Sequence, residues 1–203
     1  MNKNNKQIIN AGLMLALFAM VGTSVVTITN KLSKDKIIQN EKNARLAKLY
    51  QVFDKNTVNN NFLNDAIDLK NDLLDSKKPA QIYRLRYNDI PVGVIVESAT
   101  YKGYSGKISL IIGIRFDGSI SGVRVVRHQE TPGLGDKIDA RKSDWIKKFN
   151  NKSLKTNNTK QWQVQKDGGI FTQFSGATIT PRAIVKAVKN SLIFYEQNKL
   201  TLY

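Results

Sequence analysis

Ser175-Gly176-Ala177-Thr178 sets two hydroxyl residues around two small ones, immediately ahead of Ile179-Thr180-Pro181-Arg182. Pro181 suits a first helical position, because its missing N–H would have had no partner there. Thr180 is then expected as the N-cap. From Ala183 onward apolar residues recur at helical spacing: Ile184, Val185, Val188, Leu192 and Ile193. Thr178 is thereby expected beside unpaired helical N–H groups and the positive end of a helix dipole, where a phosphate is stabilised. Spacing alone also allows an ordinary capped turn. A second segment, His128-Gln129-Glu130-Thr131-Pro132-Gly133-Leu134-Gly135-Asp136-Lys137, is a loop set by Gly and Pro after a strand. Both loops carry small residues that let a ligand approach, and loops on a rigid scaffold are where binding groups collect.

Other chemistries find less support. The chain has no Cys, so it offers no disulfide, thiolate metal site or iron–sulfur ligation. Its one His, His128, cannot make a His-rich metal or haem site and reads as a strand-end residue. No hydrolase constellation is visible. Asp136 and Lys137 are expected to pair at the surface. Tyr104, in Gly103-Tyr104-Ser105-Gly106, is either a pocket neighbour or a packing aromatic. The net charge of +16 invites a nucleic-acid reading. Yet the Lys residues are scattered along the chain, and no zinc-ligand spacing or aromatic RNA-binding motif accompanies them. Anionic lipid or an acidic partner protein is the better match, and no nucleic-acid partner is expected.

The 203 residues are enough for one good-sized domain and an accessory segment. Gln7–Asn30 carries no charge. At 1.5 Å per residue, about twenty residues cross the roughly 30 Å hydrocarbon layer, so Ile8–Ile28 is expected as a retained transmembrane helix after a short tail, 1–7. The absence of an Ala-x-Ala site argues against a cleaved signal. Residues 29–80 form a lead-in segment, with a helix from Asp35 to Phe53 and a polar loop at Asn56–Asn64. The main domain, 81–203, opens with strands at Ile82–Tyr87 and Val92–Val96. Ile108–Phe116 and Ile120–Arg127 follow, joined through the hairpin signal Asp117-Gly118. A short helix at Asp144–Phe149, a strand at Trp162–Gln165 and a final helix at Pro181–Gln197 complete an α+β pattern. It is a mainly antiparallel sheet with flanking helices behind one transmembrane helix.

The two loops, in this order and followed by a helix, resemble the FMN-binding domain of the G component of Rnf-type ion-translocating electron transport complexes. The C component of the sodium-pumping NADH:quinone oxidoreductase is a more distant match. The resemblance runs from the apolar N-terminal segment to about Tyr195 and is most specific in Glu130–Lys137 and Asp167–Arg182. It implies covalent FMN on Thr178 through a phosphoester, with Ser175, Gly176, Ala177 and Thr180 around it. Glu130, Thr131, Gly133 and Gly135 would flank the isoalloxazine or ribityl chain. Leu134 would add an apolar contact and Tyr104 another neighbour. Thr172 stands where the family pattern has Asp, three residues before Ser175. Implied partners are the other membrane subunits of the complex, the lipid bilayer, and a flavin transferase during maturation. The implied location is the bacterial inner membrane, single-pass, with the main domain periplasmic. A flavin-free binding or assembly module stays open as the alternative.

Overall fold

The computed structural model describes residues 3–75 and 77–203, with side-chain environments for all of these except 3–9, 32 and 35. Met1 and Asn2 of the expected tail lie outside the described residues. The first helix, α1, runs from Lys3 to Leu49. Within it Asn10–Lys31 has a mean hydropathy of 2.1 and none of its side chains buried, and it is long and apolar enough to cross a membrane. Two compact units are present, 1–46 and 47–203.

The larger unit is an α+β fold built on five antiparallel strands in sequence order: β1 (Ala66–Leu69), β2 (Ala80–Tyr87), β3 (Ile90–Gly103), β4 (Gly106–Arg115) and β5 (Ile120–Arg127). Tight turns set the register. Asn88 and Asp89 take φ of 49° and 63° between β2 and β3, the left-handed pair that a two-residue hairpin turn demands. Gly118, at φ 90°, closes the expected β4–β5 hairpin. β3 is longer than the Val92–Val96 expectation. It runs on to Gly103, and only Tyr104 and Ser105 turn the chain into β4.

Alternation along the strands makes two apolar faces. On one, Ile82, Val94, Val96, Leu110, Ile112, Ile114 and Val123 pack with Ile184, Val188, Leu192 and Tyr195 of the closing helix α2 (Ile179–Asn198). Trp145, Phe149, Trp162, Phe171 and Phe174 extend this core, with Phe149 and Phe171 rings stacked 4.4 Å apart. Asp144–Phe149 is a 3-10 helix capped by the Ser143 side chain on the Trp145 N–H. The strand expected at Trp162–Gln165 does not form. Val164 makes a single bridge to Phe171. Gly168 and Gly169 fold the chain back so sharply that a Cβ on Gly169 would lie 1.9 Å from the Gln163 carbonyl oxygen.

The other face is covered by the chain just after α1. Leu49, Val52, Phe53 and Phe62 are buried, as are Tyr83, Leu85, Ile95 and Ile111 of the sheet. Three glycines make room for this segment. A Cβ on Gly93 would strike Phe53, and one on Gly113 or Gly122 would strike the Val52 backbone. Ser121 Oγ donates to the Val52 carbonyl at 2.5 Å. The helix expected to reach Phe53 therefore stops at Leu49, because Val52 and Phe53 leave it to enter this groove.

Candidate functional site

The two loops singled out in the sequence meet at one recess of about 290 Å³, lined by Tyr104, Glu130, Thr131, Leu134, Gly135 and the run Gly176–Thr180. Each loop is fixed by its own chemistry. In the first, the Thr131 carbonyl accepts the N–H groups of Leu134, Gly135 and Asp136 at 3.2, 3.1 and 3.3 Å. In the second, Ala177 N–H donates to the Phe174 carbonyl at 3.1 Å. Gly176, at φ 75°, occupies the turn position that excludes most side chains. The loops touch where a Cβ on Gly176 would lie 3.7 Å from Leu134 Cδ2.

Glu130 joins three segments. The residue is 4% exposed. Its carboxylate accepts the Tyr104 N–H at 3.3 Å, the Ser105 N–H at 3.0 Å and the Thr180 hydroxyl. The turn between β3 and β4, the loop after β5 and the start of α2 are thus held by one buried acceptor. Two glycines allow the approach. A Cβ on Gly135 would lie 3.0 Å from both Glu130 and Thr180 Oγ1, and one on Gly103 would lie 2.7 Å from Glu130 Oε1. His128 Nδ1 accepts the Glu130 N–H at 3.2 Å, so this His supports the loop from behind.

The start of α2 corrects the capping expectation. The helix begins at Ile179, with Thr178 in the cap position and no side-chain capping bond. Thr180 lies within the first turn and is fully buried, its hydroxyl spent on Glu130 rather than on a backbone N–H. Pro181 is still accommodated, because the first-turn N–H groups have no intrahelical acceptor. Thr178, by contrast, keeps an uncapped hydroxyl at the recess wall beside those N–H groups.

Of the expected site residues, Ser175 and Gly133 do not line the recess. Ser175 is exposed at the turn next to it, and Gly133 bends the first loop at φ 76°. Tyr104 is a pocket neighbour and no packing aromatic, being 69% exposed. The expected Asp136–Lys137 pair is absent among the described residues: Asp136 is buried under the loop while Lys137 is exposed. Ile179, which nothing in its sequence context marks, lines the recess and is exposed. Also unforeseen is a brace beneath the second loop. Arg182 Nε and Nη2 donate to Asp167 at 2.6 and 2.5 Å. The guanidinium bonds hold the Asp167 carboxyl below its ordinary range. Trp145 Nε1 donates to the Thr172 carbonyl at 2.6 Å, and Lys148 Nζ to its hydroxyl at 3.0 Å. No group of three or more His, Cys, Asp or Glu gathers as a metal site among the described residues.

The domain is thus an antiparallel meander closed by one helix, with a small-residue loop and an uncapped Thr178 hydroxyl at that helix's start. The FMN-binding domain family matches residues 103–193, and the RnfG N-terminal region matches residues 1–52. The chain is 42% identical over 200 residues to the G component of the ion-translocating oxidoreductase complex of Pseudoalteromonas atlantica, covering 98% of this chain and 93% of that one. It is 46% identical over 190 residues to the G component of Aliivibrio fischeri, covering 93% and 90%. The G component of Vibrio cholerae is 42% identical over 192 residues, covering 95% and 92%. The chain belongs to this RnfG family, the G components of ion-translocating oxidoreductase complexes.

Proposed function

We propose that this chain is the flavoprotein subunit of an ion-translocating oxidoreductase complex, and that it holds FMN covalently through a phosphoester on Thr178. The observation that carries the reading is the uncapped Thr178 hydroxyl at the wall of the recess formed by the two loops. The surroundings suit a phosphate. First-turn N–H groups and the helix dipole favour negative charge there, and Gly176 and Ala177 leave the approach open to a transferase. The recess is at the small end of the roughly 300–1,000 Å³ range of ligand clefts. It would seat part of a flavin against Leu134, Ile179 and Tyr104, and a covalent tether would secure the rest. FMN supplies the electron chemistry when bound, while the protein supplies position and electrostatics.

The hydroxyls are not equivalent. Thr180 is fully buried and already bonded to Glu130, and Ser175 lies outside the recess. Only Thr178 combines access with proximity to the helix start. α1 serves in this reading as a single-pass anchor over Ile8–Ile28 in the inner membrane, with 81–203 as the FMN-binding domain on the periplasmic side. The partners are the other membrane subunits, the bilayer and, during maturation, a flavin transferase. The deciding measurement is the mass of the tryptic peptide containing Ser175–Arg182, from protein expressed with a flavin transferase. An FMN adduct localised to Thr178 is expected. An adduct on Ser175 or Thr180, or one surviving Thr178→Ala, overturns the assignment.

A further inference from the structure

One buried charge sits in the wall of the recess. Among the described residues that line it, Glu130 alone has a charged side chain. The chain carries a net +16, with 32 Lys and Arg. Yet among the described residues no cation lines the recess and none forms an ion pair with Glu130. Asp65, Asp139, Asp144 and Asp167, by contrast, each hold a Lys or Arg. Glu130 has hydrogen bonds only. The Ser105 N–H meets one carboxylate oxygen at 3.0 Å. The Tyr104 N–H, at 3.3 Å, and the Thr180 hydroxyl meet the other. Backbone N–H groups only donate, so both oxygens serve as acceptors. These bonds hold the carboxylate in place without cancelling its charge.

A buried charge without a counter-ion is destabilising, and such a group in the wall of a ligand recess points to function. Its surroundings limit what it can act on. A carboxylate repels phosphate, which belongs at the start of α2, where first-turn N–H groups and the dipole favour negative charge beside Thr178. The recess around Glu130 is left for the ribityl and ring portions of a flavin, against Leu134 and Ile179. The oxidised ring is uncharged. An electron that arrives without a proton leaves it one unit more negative, whereas an electron arriving with a proton leaves its charge unchanged. A buried carboxylate opposes the first change strongly, because charges interact far more through protein than through water.

We infer that Glu130, besides holding the loops together, lowers the reduction potential of the flavin by opposing negative charge on its ring, and so favours passing electrons onward. The inference rests on the flavin reading above. Glu130 exchanges neither electron nor proton in this role. The electrons enter from and leave to other redox groups of the oxidoreductase complex.

The test is a reductive titration, with dithionite and redox mediators, of the full detergent-solubilised chain expressed with a flavin transferase. It is run at about pH 8, above the ordinary carboxyl range, and flavin absorbance reads the reduced fraction. At the wild-type midpoint, Glu130→Gln should raise the ratio of reduced to oxidised flavin about tenfold, which is about 30 mV toward positive potential for a two-electron couple. Asp89→Asn removes an exposed carboxylate in the turn at the far end of β3 and should leave the ratio unchanged. Thr180→Val takes a donor from the carboxylate but keeps its charge, so it should lower the ratio. Loosening of the site by itself would move Glu130→Gln and Thr180→Val in the same direction. An unchanged or lower ratio in Glu130→Gln, or a rise in Thr180→Val, overturns the role of Glu130. Where Glu130→Gln yields no folded protein, Thr180→Val decides, and the absence of a fall overturns it. The flavin adduct is weighed on the same samples. Its absence from the wild type removes the flavin reading and this inference with it, and its presence with unshifted potentials removes this inference alone.

Discussion

Replacing Thr180 by Val tests whether the buried Glu130 carboxylate organises the site. The two side chains are nearly the same shape, and their helix propensities are close, so the change removes little but the hydroxyl. That hydroxyl is fully buried and donates to a carboxylate that also accepts the N–H groups of Tyr104 and Ser105. A hydrogen bond to a charged group contributes about 1.5–3 kcal/mol, and a buried charge left short of a donor adds desolvation cost. We expect a loss of roughly 2 kcal/mol, or about 4–8 °C in Tm for a domain of this size. Urea unfolding of the detergent-solubilised full chain can follow it through Trp145 and Trp162, both buried in the unit that unfolds. Glu130→Gln, alone and combined with Thr180→Val, completes a double-mutant cycle. A coupling near zero, or a loss under about 0.5 kcal/mol for Thr180→Val, would refute the reasoning, because surface-like substitutions give values that small. The covalent adduct should survive Thr180→Val, since Thr178 keeps its hydroxyl.

Thr178→Ala should abolish the adduct yet change stability by less than about 1 kcal/mol, because its hydroxyl caps nothing; mass spectrometry and urea unfolding check the two parts. Thr172→Asp should raise the flavinylated fraction measured by intact mass, because it restores the carboxylate that the family pattern places three residues before Ser175; an unchanged fraction counts against a role for this position in transferase recognition. Burial, with the bond to Tyr195, pushes the Tyr203 hydroxyl well above the ordinary tyrosine range. Its stabilising contribution is complete below about pH 10 and lost as pH rises further, so an alkaline stability profile should fall there, and Tyr203→Phe should flatten it. The Asp139 carboxyl is held low, first by the Arg141 hydrogen bonds. Its contribution is present above about pH 4 and lost as pH falls through the depressed value; the stability gap between the wild type and Asp139→Asn should close on acidification.

The strands were legible because their signals are local. Ile120–Arg127 and the Asp117-Gly118 turn need only alternation and a left-handed glycine. The two loops were legible as small-residue runs, and the recess brings together most of what they carry. β1 was not foreseen, since Ala66–Leu69 is four residues long in a polar stretch and becomes a strand only by pairing with β2. The role of Thr180 was misread because capping is a local rule, whereas its hydroxyl answers to Glu130, fifty positions away. Asp136 was misplaced for the same reason. Nothing in its neighbours marks it as buried. Gly122 reads as an ordinary strand residue, and its purpose shows only when Val52 lies across it.

That groove fixes where the chain can be cut. Leu49, Val52 and Phe53 fill it, and Phe62 packs edge-on against Tyr83 alongside. A protease acting between Phe53 and Phe62 would sever the cover from the sheet and bare an apolar strip with three side-chain-free positions. Such a fragment would be aggregation-prone. A soluble, well-behaved fragment has to keep the chain from Ala47 onward, so the last turn of the first helix belongs, in engineering terms, to the domain that follows it.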